Sequence, residues 1–252
     1  MRKIESRQNS KIKDWIRLGK ERKYREKTGY FLCEGRKMLE EARQSGQRIG
    51  EILLCDPALG EELETPETPV YLLPEALLRQ ISEVKTPQDL IFTCQAKTNT
   101  LAELAEPRRL LILDGLQDPG NLGTILRCAD AFALDGVVLL PGCADLYNPK
   151  VVRSTMGAVF RVKTIRSSQQ ELLDFAKEQD LPLYATALAA DSQPVTGQDL
   201  SRCGVVIGNE GNGVSPEMLA ACQKKLIIPM PGRAESLNAS VAAAIMMWEM
   251  TK

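Results

Sequence analysis

The sequence predicts an α/β protein made of two successive α/β units, a small one and then a larger one with a parallel sheet. Three observations carry this prediction. Short apolar runs of strand length alternate with segments whose apolar residues recur at helical spacing. The alternation lapses once, at the polar residues 96–107 that end in Pro107, and then restarts with more strongly apolar runs. With 252 residues, 44% of them hydrophobic and 26% charged, the chain has an ordinary globular composition and enough length for two cores. The expected domains are residues 1–98 and 107–252.

Residues 9–27 show helical spacing, with Ile12, Trp15, Ile16 and Tyr24 on one side. Residues 30–33 read as a short buried strand stopped at Gly35, and 37–44 as a helix ended by Gly46. Strands follow at 51–55, at 70–73 and at 90–94, with a helix over 75–82 opened by Pro74. In the second half, the apolar run 110–113 is of the type covered on both faces of a sheet. Further strands are expected at 136–140, 161–165, 183–187, 205–207 and 226–228. Helices at 122–132, 149–154, 168–179, 216–223 and 237–250 lie between or after them. Helical crossovers between short apolar strands imply parallel pairing.

Composition excludes several chemistries. The chain has no His, which removes Ser-His-Asp and Cys-His catalysis, HExxH metalloproteases and any His-ligated metal. Seven Cys occur without a CxxC pair, as expected of free thiols in a reducing cytoplasm. No stretch approaches the roughly 20 apolar residues of a membrane helix. The basic, polar N-terminus lacks the apolar region of a secretory signal. The expectation is a cytoplasmic protein with no metal and no membrane contact. Charge is distributed unevenly. Residues 1–48 carry 15 basic against 7 acidic side chains, and residues 51–106 carry 3 against 11. Lys11, Lys20, Arg22, Lys23 and Arg25 lie in the basic segment from Lys11 to Lys27, densest over 17–27, which is suited to nucleic-acid phosphate.

Three glycine-rich or polar segments stand out in the second half. Residues 113–127 (LDGLQDPGNLGTILR) run from a strand through a turn-rich loop into a helix, with Asn121 a candidate N-cap and Arg127 two turns further on. Residues 205–216 (VVIGNEGNGVSP) place three Gly within six residues after a buried strand. Such a loop bends sharply or meets a ligand closely, and its Glu210 is placed to bind a donor rather than to solubilise. Residues 227–241 (IIPMPGRAESLNASV) set Ser236, Asn238 and Ser240 at the opening of a helix of small apolar residues.

In this order, these segments resemble the three motifs of the SpoU (TrmH-type) RNA 2′-O-methyltransferases of the SPOUT superfamily. Residues 147–160 (YNPKVVRSTMGAVF) are also similar to the family. Asn9-Ser10-Lys11-Ile12-Lys13 and Phe31-Leu32-Cys33-Glu34-Gly35 resemble its N-terminal, ribosomal-protein-like substrate-binding domain. The resemblance implies a deep C-terminal trefoil knot, a homodimer, and S-adenosylmethionine bound bent with its adenine held mainly by backbone groups. Carried over residue by residue, it puts cofactor contacts on Gly208, Ile228 and Leu237. The functional polar positions fall on Asn121, Arg127, Glu210, Ser236 and Asn238. Two departures are Ala239, where Val is more usual, and the variable Arg233-Ala234-Glu235 stretch. The separate N-terminal domain resembles the ribosomal RNA branch. Transfer RNA is the alternative substrate, and an RNA-binding protein without catalysis the alternative class.

Methyl transfer to a ribose hydroxyl is an in-line displacement needing alignment and proton removal but no metal. Arg127 is a poor base, because guanidinium stays protonated in proteins. It is suited to gripping a phosphate and stabilising a developing alkoxide, while RNA phosphate or solvent takes the proton. Glu210 is expected to hold Arg127 or Asn121. Ser236 and Asn238 are expected to orient the ribose and the methionine moiety. In the last helix, Val241, Ala244, Ile245 and Trp248 form one apolar stripe and Met246, Met247 and Met250 add apolar surface elsewhere, which predicts a two-fold interface.

Overall fold

The computed structural model describes residues 1–84 and 87–252. In chain order the elements are β1 (Arg2–Lys3), α1 (Ser10–Lys20), α2 (Arg22–Thr28), β2 (Tyr30–Glu34), α3 (Arg36–Gln44), β3 (Ile49–Leu54), α4 (Pro57–Leu63), β4 (Val70–Leu72), α5 (Glu75–Ile81) and β5 (Leu90–Gln95). A short 3-10 turn at Leu101–Glu103 precedes β6 (Arg109–Leu113), α6 (Pro119–Ala131), β7 (Gly136–Leu139), α7 (Pro149–Ser154), α8 (Ala158–Arg161), β8 (Thr164–Arg166) and α9 (Gln169–Glu178). The chain ends with β9 (Leu183–Thr186), β10 (Gln193–Pro194), β11 (Cys203–Ile207), α10 (Pro216–Ala221), β12 (Lys224–Ile227) and α11 (Ala239–Glu249). They form two compact units, Met1–Lys97 with Asp145–Phe160, and Thr98–Ala144 with Arg161–Lys252.

The first unit is a five-stranded mixed sheet ordered β1-β4-β3-β5-β2. Strand β5 runs antiparallel to both of its neighbours. Ile12, Trp15 and Leu18 of α1 bury against Leu77, Leu78 and Ile81 of α5 and the sheet residues Leu32, Leu53, Tyr71 and Ile91. The single helix expected over 9–27 is two helices, because the backbone turns extended at Glu21 (φ −106°, ψ 109°). Arg25 holds that break. Its guanidinium donates to the carbonyls of Leu18 (2.6 Å) and Gly19 (3.1 Å), oxygens that the interrupted helix would otherwise leave unpaired. It also pairs with Asp145 at 2.7 Å and is only 5% exposed. Arg25 is therefore removed from the expected RNA-binding set: a buried guanidinium committed to three oxygens has nothing left for a phosphate.

Segment 145–160 explains why the first unit is not one stretch of chain, as the linear boundaries 98 and 107 implied. Tyr147 stacks on Phe31 with ring centroids 4.3 Å apart, and its hydroxyl donates to the Lys97 carbonyl and accepts from the Lys97 N–H, both at 2.9 Å. Val151, Val152 and Phe160 are buried.

The second unit is a seven-stranded sheet ordered β10-β12-β9-β11-β6-β7-β8, parallel throughout. Leu110, Ile112, Val138, Ile165, Ala185 and Val206 supply its core together with Leu172 and Phe175 of α9 and Met218 of α10. Strand order reverses at β6. The chain moves outward through β7 and β8, returns to β9 on the other side, and later inserts β11 between β9 and β6. The carboxyl ends of β6, β7, β9, β11 and β12 share one edge, and ligands of open parallel sheets bind outside that edge at such a reversal. The strand expected at 161–165 begins only at Thr164, since residues 158–161 form α8. In α11, Ala243, Met246 and Met247, with the C-cap Met250, face inward, whereas Val241 (47% exposed) and Trp248 (53%) face out.

Candidate functional site at the carboxyl edge of the parallel sheet

The loops after β6, β11 and β12 contain the three segments singled out in the sequence, so the topology alone brings them to one edge. Strand β6 ends at Leu113, and α6 opens at Pro119 with Asp118 as its N-cap, the Asp118 Oδ1 accepting from the Asn121 N–H at 2.8 Å. Asn121 is thus not the N-cap. Asp followed by Pro is the stronger start signal, because Asp accepts from the first turn and Pro has no N–H to satisfy there. The shift matters, since a residue inside the first turn has its side-chain amide free for other work.

That amide joins the three loops. Glu210 accepts from Asn121 Nδ2 (3.0 Å), from the Asp118 N–H (2.9 Å) and from the Gln117 N–H (3.0 Å). Asn121 Oδ1 accepts in turn from Asn238 Nδ2 (3.0 Å). Asn238 is the N-cap of α11, and its Oδ1 accepts from the Ser240 hydroxyl (2.6 Å) and the Ser240 N–H (2.9 Å). The direction of this relay follows from its anchor. A carboxylate only accepts, so Asn121 must turn its Nδ2 toward Glu210, and its oxygen is left for Asn238. Partial burial works against the charged form of Glu210. The Gln117 N–H, the Asn121 amide and the Asp118 N–H outweigh it and hold the pKa below the usual carboxylate value. A negative group at the α6 N-terminus is also favoured by the helix dipole.

Arg127 is exposed and makes no hydrogen bond or ion pair among the described residues. Of the two partners expected for Glu210, the structure brings it to Asn121 and not to Arg127. Ser236 is exposed, and Ile228 and Leu237 are half-buried. Gly208 follows β11 directly and is buried, and a Cβ built on it would lie 2.0 Å from the Gly213 carbonyl carbon and 2.1 Å from the Val214 nitrogen. Only glycine fits where the loop crosses itself so closely.

Residues 229–237 form no hydrogen bond with any other described residue. Backbone groups do not stay unpaired away from water, so this stretch offers main-chain donors and acceptors to solvent or to a ligand. That donor set fits a cofactor held mainly by backbone groups. Sequence reasoning missed Gln117 and Asp118 as donors to Glu210, although Asp118-Pro119 carried the helix-start signal. It also passed over the loop after β9, whose exposed Leu188 opens on the same edge and carries no polar pattern.

Comparison with known proteins converges on one family. Residues 108–248 match the SpoU rRNA Methylase family, and residues 9–91 match an MRM3-like substrate binding domain. The chain is 38% identical over 251 residues to the 23S rRNA (guanosine(2553)-2′-O)-methyltransferase RlmP of Bacillus subtilis (strain 168), covering 99% of both chains. An AdoMet-bound rRNA methyltransferase from Sinorhizobium meliloti superposes with a TM-score of 0.90 at 27% identity, covering 99% of this chain and 97% of that one. The SpoU methyltransferase AviRb from Streptomyces viridochromogenes, solved with AdoMet, superposes with a TM-score of 0.88 at 26% identity, covering 97% of each. A relay through Asn121, Glu210 and Asn238 at the edge of an all-parallel sheet, carried by a chain that matches over nearly its whole length, places this protein in the SpoU rRNA methylase family.

Proposed function

We propose that this chain is an enzyme that methylates a ribose 2′-hydroxyl of ribosomal RNA with S-adenosylmethionine as donor, its substrate lying in 23S rRNA. The observation that carries the reading is the Glu210–Asn121–Asn238 relay, which ties the three motif loops together beside the unpaired backbone of 229–237. When bound there, the donor supplies an electrophilic methyl group on a sulfonium. The chain's own residues do the rest. Arg127, exposed and uncommitted, grips the phosphate next to the target ribose and stabilises the charge that grows on its oxygen. Glu210 is ionised and already accepts from three donors, so it anchors and does not take the proton, which passes to RNA phosphate or solvent. Asn121, Asn238 and Ser236 present amide and hydroxyl groups to the ribose and the methionine end.

The finer reading has three parts. Residues 1–98, joined by the segment 145–160, form a ribosomal-protein-like domain that captures RNA, and the rest of 107–252 forms the methyltransferase domain with a deep trefoil knot. The RNA-facing cations are Lys20 and Lys23, both exposed and without partners among the described residues. Arg22 and Lys11 join them, although each also holds a carboxylate, Glu26 and Glu51. The working form is a homodimer built on the outward apolar face of α11, and the substrate places it in the cytoplasm.

Single-turnover methylation of unmodified 23S rRNA tests the assignment. Arg127→Ala should lose at least 100-fold in rate, and Arg127→Lys should recover only part, since Lys cannot grip bidentately. Full activity in Arg127→Ala overturns the role given to it.

A further inference from the structure

The loops after β6 and β11 are joined by more than Glu210. Asn209, half-buried immediately before it, uses both ends of its side chain. Its Oδ1 accepts from the Gly211 N–H and the Asn212 N–H, both at 3.0 Å, and its Nδ2 donates to the Gly115 carbonyl at 2.8 Å. Its own backbone closes the turn, since the Asn209 N–H and the Gly213 N–H each donate to the other's carbonyl at 2.9 Å. A second tie lies alongside, where Asp114 accepts from the Ser215 N–H at 2.8 Å. The loop of residues 208–215 is therefore shaped internally by Asn209 and fastened by it to the start of the loop of residues 114–118. The three groups that Glu210 must reach, on Gln117, Asp118 and Asn121, lie two to six residues beyond Gly115.

We propose that Asn209 is a positioning residue for methyl transfer: it fixes the turn that aims Glu210, and through the Gly115 carbonyl it fixes the loop at which Glu210 is aimed. This rests on the assignment of Glu210 and Asn121 to the substrate site. Asn209 touches neither substrate nor donor. Its effect passes through the direction of the Glu210–Asn121–Asn238 relay, because a carboxylate displaced by about 1 Å no longer spans all three donors and the Asn121 amide is no longer held. Asn209→Asp is the sharpest perturbation. It is nearly the same size and keeps both acceptor bonds inside the turn, but it sets an oxygen against the Gly115 oxygen where Nδ2 had donated.

The test is a double-mutant cycle on the full-length enzyme with unmodified 23S rRNA, reading single-turnover rate, S-adenosylmethionine affinity by calorimetry, and thermal midpoint. Asn209→Asp and Asn209→Ala should each lower the methylation rate by about 10- to 100-fold while leaving donor affinity within about threefold and both proteins folded. Added to Glu210→Gln, either change should cost less than a further threefold, because both act through one relay. Multiplicative losses in the double variants overturn the proposal, as does an Asn209→Asp enzyme with parental rate. So does unfolding of both Asn209 variants, which would make the residue part of the fold alone. A Glu210→Gln enzyme with undiminished rate overturns the site assignment itself, a failure distinct from additivity.

Discussion

Gly208→Ala isolates a steric claim that the structure states in numbers. The added methyl would lie 2.0, 2.1 and 2.3 Å from three backbone atoms of Gly213 and Val214. Ordinary contacts begin near 3.4 Å, so the turn must retreat by more than 1 Å, and backbone has no rotamer with which to yield. Retreat parts the two reciprocal hydrogen bonds between Asn209 and Gly213, worth about 1 kcal/mol net each, and adds an overpacking cost of about 1–3 kcal/mol. The reduced entropy of the unfolded chain returns about 0.4–1 kcal/mol. A net loss of about 2–4 kcal/mol lowers the melting midpoint by about 4–16 °C in a protein of this size. Gly232→Ala is the matched control, because a Cβ there meets nothing within 4 Å. Scanning calorimetry of the parent and both variants reads the shift, and titration with S-adenosylmethionine should show binding lost in Gly208→Ala alone. A Gly208→Ala protein that melts within 2 °C of the parent refutes the steric argument.

Three further outcomes follow from the site and the surface. The Glu210 carboxyl has a lowered pKa in the folded state, so its contribution is present above the unfolded value near 4.5 and fades as pH falls through the folded value. Melting midpoints should therefore drop on acidification below about pH 4.5, less steeply in Glu210→Gln than in the parent; parallel curves would contradict this. Lys20→Ser with Lys23→Ser should reduce the salt slope of RNA binding by about 1.4–1.8, the signature of two lost phosphate contacts. Arg25→Leu should instead destabilise the fold by about 3–5 kcal/mol, because it breaks a buried ion pair, with the slope unchanged in whatever folded protein remains. On the proposed dimer, Trp248→Glu should lower the sedimentation mass from that of two chains to that of one at micromolar concentration, and an unchanged mass would remove α11 from the interface.

The fold class was legible in the sequence wherever one local pattern sufficed. Runs such as 110–113 and 205–207 are apolar on both faces and could only be interior strands, and β6 and β11 lie at the centre of the sheet. Asp118-Pro119 was equally local, yet Asn121 drew attention as the cap because it borders the apolar part of the helix. Glu210 was readable as a carboxylate meant for donors, since three glycines in six residues leave backbone N–H groups close by. Its actual donors come from about 90 residues upstream, and no spacing rule reaches that far. Arg25 shows the same limit more severely. Within a run of lysines and arginines it has the pattern of a solvated face, and only a partner 120 residues away makes it a buried one.

The buried Arg25–Asp145 pair and the stack of Tyr147 on Phe31 also bear on how this chain can be cut and inherited. A deletion at the polar stretch after Lys97 looks safe on paper, but it strips residues 145–160 of Arg25, Phe31 and the Lys97 backbone together. The remaining C-terminal piece would carry Asp145 without its Arg25 partner beside uncovered Tyr147, Val151, Val152 and Phe160, and should aggregate on expression. The N-terminal piece alone would bury a guanidinium with no counter-charge. Because the first unit is built from two separated stretches of chain, it cannot be exchanged by a single crossover, so recombination that replaces it must swap both stretches of the gene at once.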